Sequence, residues 1–396
     1  MKKLNTFLIT FLLTIAGYGQ RSQSDAIVTV DVRTNYPKKE LILQDFMDVE
    51  YIALKTNDNF LTEGEVLAIG KEYIFVKNRN NDGDIFIFDR IGTGLRKFNR
   101  LGRGPGEYLS INEFFLDEDN GEIFISDYRG VLVYDLYGKF KRSLSSRERT
   151  SFIHMYNYDN DNFICLGRDA VFNTKSVSTH PFFIVSKHDG SIHKEIHIPF
   201  IERAPRGVQV RTDNGGWQMS VITSFFHSLI PYNSDWILTM HTSDTVFRYL
   251  PDYSKRPFIV KTPPSKSMKQ ETFLFPGVLT DFYYFMIVLK EDSGTKSPWP
   301  TVPNHPVMTT TNLVYDKKER SIFTSTVYNS DFSNKRQVSM FQKTAGNSEI
   351  AFWHKIEADE LVASYKKGEL KGKLKEVAAE LEEDSNPIIM FVKYKN

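Results

Sequence analysis

Two stretches of this 396-residue chain gather side chains able to hold a ligand. "FIERAPRGVQVRTDNGGWQMSVITS" (200–224) brings Arg203, Arg206 and Arg211 near Trp217, and "KEDSGTKSPWPTVPNHP" (290–306) adds Trp299 and His305. A guanidinium forks onto carboxylate or phosphate oxygens, and an indole offers a flat face for stacking. These residue types point to an anionic or sugar ligand; loops that cap the fold and bury their Trp are the alternative. A third stretch, "GRGPGEY" (102–108), sets Arg103, Glu107 and Tyr108 among three glycines and a proline. The glycines and Pro105 favour a sharp turn, in which Arg103 and Glu107 either brace the backbone or present groups to a ligand. The segment lacks the Lys-Ser/Thr and following helix of a phosphate loop.

Signals for catalysis are weaker. His193 and His197 in "HKEIH" are four apart, which suits two metal ligands on a helix, but Ile192, Ile196 and Ile198 alternate with them as on a strand. A strand would separate the two rings by about 13 Å. Acidic turns such as "NRNNDGD" (78–84), "DEDNGE" (117–122) and "DNDN" (159–162) lack the loop length and distal Glu of a calcium site, and their residues are those of ordinary hairpin turns. No Gly-x-Ser-x-Gly elbow occurs. His227, His241 and His305 lie near element boundaries and could converge on a divalent metal; otherwise no cofactor is expected. Cys165, the single cysteine, sits inside "NFICLG" and reads as a small apolar core residue, with no intrachain disulfide available.

The net charge of +1 leaves no basic field for nucleic acid. "MKKLNTFLITFLLTIAGYGQ" has two lysines, a short apolar run and small residues, the pattern of a secretory signal cut after Gly19. No cysteine stands near that cut, so export without a lipid anchor is expected, to the periplasm or beyond the cell. No later segment is long and apolar enough to span a bilayer.

The elements that must carry these groups repeat. Laying Asp89 of "DIFIFDR" on Asp135 of "VLVYDLYG" gives a period of 46 residues, and "YIFV" (73–76) then falls near "EIFIS" (122–126). Further copies are "NFICLG" with "PFFIVSKHDGSIHKEIHI", "DWILTM" with "DTVFRYL", and "FYYFMIVL" with "TNLVYDKKERSIFTS". Strands apolar at every position must be covered on both faces, and no helical periodicity lies between them. Four-stranded blades packed side by side in a ring satisfy that requirement at this period. "VEYIALK" (49–55) and "PIIMFVKYK" (387–395), from opposite ends, are expected to close a reduced last blade beside "EIAFWHK" (349–355). Leu370, Leu374, Val377, Ala378 and Leu381 recur at helical spacing, predicting one amphipathic insert over about 358–384 that packs on the ring.

"GRGPGEY…DEDNGEIFISDYRGVLVYDLYGKF" resembles an NHL repeat. With "DVEYIALKT", "LIPYNSDWILTMHTSDTVFRY" and "NPIIMFVKY", the whole mature chain (20–396) resembles a family of secreted bacterial six-bladed β-propellers. The resemblance implies an all-β fold: a six-bladed β-propeller of four-stranded antiparallel blades. The leading functional expectation is a non-catalytic module that binds carbohydrate or peptide at the channel mouth, or docks to an envelope protein. The alternative is a metal-dependent lyase or hydrolase on the propeller axis.

Overall fold

The computed structural model describes residues 26–80, 82–144, 152–168, 180–200, 207–211, 217–221, 228–295, 306–343 and 349–395. The chain opens with β1 (Val28–Asp31), β2 (Lys38–Ile42), a helical turn α1 (Leu43–Phe46) and β3 (Met47–Ala53). Blade 1 is β4 (Glu65–Ile69), β5 (Tyr73–Lys77), β6 (Asp84–Asp89) and β7 (Gly94–Asn99). Blade 2 is β8 (Glu113–Asp117), β9 (Glu122–Asp127), β10 (Gly130–Asp135) and β11 (Phe140–Leu144). Blade 3 is β12 (Phe152–Asn157), β13 (Asn162–Gly167), β14 (Phe182–Ser186) and β15 (Ile192–Ile196). A hairpin, β16 (Gly207–Arg211) and β17 (Trp217–Val221), precedes blade 4: β18 (Leu229–Tyr232), β19 (Asp235–Leu238), β20 (Thr245–Tyr249) and β21 (Lys255–Thr262). Blade 5 is β22 (Thr272–Leu279), β23 (Tyr283–Glu291), β24 (Val307–Asp316) and β25 (Ser321–Tyr328). The chain ends with β26 (Ile350–Ile356), α2 (Ala358–Lys366), α3 (Gly372–Ala378) and β27 (Ile388–Tyr394).

Each of the five complete blades is an antiparallel meander in chain order. Its middle strands are apolar on both faces because both faces are covered; every residue of β9 and of β14 is buried. The covering partner is always the next blade. Phe75 and Ile87 pack on Phe114 and Ile125; Phe124 and Val133 on Phe163 and Val185; Ile164 and Ile184 on Trp236 and Phe247. Ile237 and Ile259 then pack on Tyr284 and Met286, Phe285 and Val314 on Phe352 and Met390, and Ile389 and Phe391 on Ile74 and Phe88. That last contact returns to blade 1, so six apolar interfaces close a six-bladed β-propeller. Asp89 and Asp135 repeat because each caps the same turn: Asp89 Oδ1 accepts from Ile91 and Thr93 N–H, and Asp135 Oδ1 from Tyr137 and Lys139 N–H. Such Asx turns need that carboxylate at one place per blade.

Among the described residues blade 6 has three strands, ordered β26-β27-β3, with β3 supplied by the N-terminal region. β26 is its innermost strand and runs against the inner strand of blade 1. Lys355 near its end bonds Glu65 at the start of β4 (2.9 Å), while Arg90, which bonds Gly70 O beyond β4 (2.7 Å), lies 3.9 Å from Glu349 before β26. Among the described residues the blade therefore holds a second, third and outer strand but no first. The insert between β26 and β27 forms two short helices instead of one, broken at Gly368 (φ 70°), a left-handed position. Leu361, Leu374 and Ala378 bury against blade 6 and the adjoining face of blade 5.

The N-terminal segment straps two blades. β1 pairs in parallel with β21, and β2 with β25, so each adds a strand to the outer edge of blade 4 or blade 5. Outer edges with unpaired N–H and C=O groups invite association, and the strap satisfies two of them. The ring has two faces: a turn face, where first and second strands meet in short turns, and a crossover face, where the chain passes from one blade to the next.

Candidate functional site

On the turn face, the short turns of blades 3, 4 and 5 and the end of blade 6 surround a cavity of about 400 Å³. That volume lies within the usual range for small-molecule sites, roughly 300–1,000 Å³. Its opening follows from tight turns. Between β18 and β19 only Asn233 and Ser234 intervene, with Asn233 at φ 54°, a conformation Asn tolerates. Between β22 and β23, Thr280 Oγ1 accepts from the N–H groups of Phe282 (3.2 Å) and Tyr283 (2.9 Å). This turn leaves Phe282 standing out, 50% exposed at the cavity rim.

The walls are aromatic. Trp236, at the start of β19, stacks on Tyr158 with centroids 6.2 Å apart and meets Tyr156 at 5.8 Å. Tyr394 closes the opposite side, and Lys395 pins the chain end there by donating to Gln44 O (2.7 Å) and Asp45 O (3.2 Å). Burial, with Tyr253 and Asp159 nearby, pushes the Tyr158 hydroxyl up to about 12. Burial, with Tyr232 and Asp281, does the same for Tyr394, to about 12. Both hydroxyls therefore remain donors at neutral pH. Asp235 is committed to Arg248, whereas Asp281 makes no ion pair among the described residues. Asn157 Oδ1 is buried and has no hydrogen-bond partner among the described residues.

Asn157 also lines a second cavity of about 140 Å³ within the channel, bounded by β4, β8 and β12 with Trp353 and Lys343. Lys343 Nζ lies 3.7 Å from Glu113 Oε2. His154 occupies a bulge in β12 with φ 50°, a strained conformation for a side chain of its size. Burial lowers the His154 pKa, and Lys343 lowers it further against the opposing pull of Glu113, so the ring is neutral at pH 7. Burial opposes the Lys343 charge, but Glu113 outweighs it and the ammonium is retained. The channel thus places a neutral imidazole beside an ion pair. Among the described residues, no three His, Cys, Asp or Glu side chains gather to hold a metal ion.

The residues singled out from sequence divide between described and undescribed parts of the chain. Arg203, Arg206, Trp299, His227 and His305 lie outside the described residues. Arg211 and Trp217 are backbone partners in the β16–β17 pair, which joins the start of β24 at the crossover face. His241 is half-buried just after β19. The "GRGPGEY" loop runs from blade 1 to blade 2, also at the crossover face, and its groups serve the turn. Glu107 Oε2 accepts from Gly104 N–H (2.7 Å), and buried Tyr108 donates to Gly83 O (2.5 Å). Arg103 is exposed. Two of the acidic turns brace their own backbone: Asp82 accepts from Asp84 N–H, and Asp159 from Asp161 and Asn162 N–H; in the third, Asp117 pairs with Lys187 and Glu118 accepts from Lys71 and Glu72 N–H. The described tryptophans that line these two cavities are Trp236 and Trp353.

The chain is similar to solved structures, and the first of them shares its fold. A candidate exported protein of Bacteroides fragilis NCTC 9343 superimposes with a TM-score of 0.59 at 14% identity, over 94% of this chain and 100% of that one. Virginiamycin B lyase of Staphylococcus aureus matches at a TM-score of 0.38 and 10% identity, over 88% of this chain and 100% of its own. At such identities the likeness concerns the fold. No protein of curated function matches the chain. No helix among the described residues is long and apolar enough to cross a membrane. Residues 27–393 match the profile described as a domain of unknown function, DUF4934, and the chain belongs to that family.

Proposed function

We propose that this protein is an exported, non-catalytic binding module of NHL-like blades that holds a carbohydrate at the turn-face mouth of its channel. The observation that carries the reading is the buried, unserved acceptor Asn157 Oδ1 at the junction of the two cavities. A buried acceptor left unpaired costs about 1–3 kcal/mol, which a ligand hydroxyl would relieve. Sugars carry such donors on one edge and present C–H faces to aromatic rings on the other. Trp236, Tyr158 and Phe282 offer the rings, and Asp281 offers a second acceptor. Tyr158 and Tyr394 supply donors to ring and glycosidic oxygens. Export rests on the Lys2–Gly19 leader, with residence in the periplasm or outside the cell. The reading needs no cofactor.

A glycan array run beside a peptide array tests it. The purified protein should give glycan hits that Phe282→Ala and Asn157→Ala each weaken by about tenfold, near the 1.4 kcal/mol that one hydrogen bond or ring contact contributes. Hits confined to peptides, or glycan hits indifferent to both variants, would overturn the carbohydrate assignment.

A further inference from the structure

A third cavity lies on the crossover face, between blades 5 and 6. It holds about 310 Å³ and is lined by residues that follow β25, by β26 and by Met390 of β27. One side is apolar: Phe332, Phe352, Ile356 and Met390 are each at most 4% exposed. The other side carries Arg336, Gln342 and His354. Beneath the floor, Asn329 Nδ2 donates to the Tyr51 hydroxyl (2.7 Å), and the Tyr51 hydroxyl donates to Asp331 Oδ2 (2.9 Å). Gln44 donates to both Asn329 Oδ1 (2.6 Å) and Asp331 Oδ2 (3.2 Å), so this wall is braced by its own network and does not collapse into the space.

The charged group in the cavity is Arg336. Its guanidinium lies over the Phe332 ring at 4.9 Å, which fixes its plane. Its Nη1 is 2.7 Å from Glu360 Oε1, in the first turn of α2. Arg336 keeps 28% of its side chain exposed and Glu360 keeps 49%, so the pair is open to exchange with another carboxylate. Exposed pairs of this kind contribute little, about 0–1 kcal/mol. Burial lowers the His354 pKa and Arg336 lowers it further against Glu360, so the ring is neutral and offers one N–H donor without adding charge. The cavity therefore combines an aromatic and aliphatic floor, one forked cation and two neutral polar groups, with a resident acid standing where a ligand acid would bind.

We propose that this cleft binds a small amphipathic carboxylate, its apolar part on Phe332 and Phe352 and its carboxylate on Arg336 in place of Glu360. The site is on the opposite face from the mouth pocket and is independent of the carbohydrate reading. Glu360 acts as an internal competitor, so α2 sets the affinity without touching the ligand's apolar part.

Isothermal titration of the full chain with phenylacetate, and with neutral phenylacetamide as control, tests this. Phenylacetate should bind the wild type, bind Glu360→Gln about tenfold more tightly, and lose at least that factor in Arg336→Gln. Phenylacetamide should respond to neither variant. The opposite effects of the two substitutions separate competition from simple damage to the fold, since both variants break the same ion pair. No phenylacetate binding to Glu360→Gln, or binding that Arg336→Gln leaves unchanged, would overturn the proposal.

Discussion

Replacing Lys187 with Met removes the cation from an ion pair that locks blade 2 to blade 3. Its Nζ lies 2.5 Å from Asp117 Oδ2, with the two side chains 2% and 1% exposed. The same ammonium donates to Asp159 O (2.5 Å) and Asn160 O (3.3 Å) in the turn that carries Tyr158 into the mouth pocket. Without it, Asp117 keeps only the bonds from Asn120, Asp159 O loses its lysine donor, and Asn160 O keeps only Asn120 Nδ2 (3.0 Å). Breaking a buried pair from one side costs about 3–5 kcal/mol. A folded domain is typically stable by about 5–15 kcal/mol, so the loss would be visible in any denaturation curve. Urea unfolding followed by tryptophan fluorescence should show a lower midpoint with an unchanged slope. The double variant Lys187→Met with Asp117→Leu should recover much of the loss, because no uncompensated charge remains. A single-variant cost below about 1 kcal/mol would match an exposed pair and refute the reasoning.

Further outcomes follow from other parts of the fold. Burial disfavours the Glu122 charge, but bonds from Arg142 (2.7 Å to each oxygen) and from Lys141 outweigh it and hold its pKa below 4.5. Its contribution is thus present above the unfolded value and lost as pH falls through the folded one. Urea midpoints of the wild type should drop below about pH 4.5, and Glu122→Gln should flatten part of that drop. Cys165 is fully buried and its thiol pushed up by burial, so a thiol reagent should label it only after denaturation; fast labelling of the folded protein would contradict the core placement. Val30 in β1 has no exposure, so Val30→Asp should detach the strap, lower the unfolding midpoint and promote association through the bared β21 edge, as light scattering would show.

The middle strands were legible because their constraint is local. Ile85-Phe86-Ile87-Phe88 and Val131-Leu132-Val133-Tyr134 are apolar in succession, which few folds permit, and Asp89 and Asp135 mark one turn per blade. The inner strands were not: β4 is the half-buried "EVLAI" and β18 the four-residue "LIPY", neither with a distinctive pattern. β1 and β2 are short and in part polar, and they exist only because β21 and β25, more than 200 residues away, offer an edge. The helical spacing of Leu370 and Leu374 was genuine as an apolar pattern, but Gly368 and Gly372, both at positive φ, divide the insert. The mouth pocket escaped notice for a physical reason. Long loops with Arg and Trp draw attention, yet the described cavity opens where turns are short, because turns of two to four residues leave the channel uncovered. Trp236 lies in an apolar strand, "DWIL", and nothing local distinguishes it from a core residue.

A crystal structure of the protein with its best-binding array glycan decides whether the turn-face mouth holds the ligand. A sugar ring should occupy the turn-face cavity, packed on Trp236 or Phe282, with a hydroxyl within hydrogen-bond distance of Asn157 Oδ1. A glycan bound instead at the crossover face, or on the outer rim of the blades with the mouth empty, would contradict it.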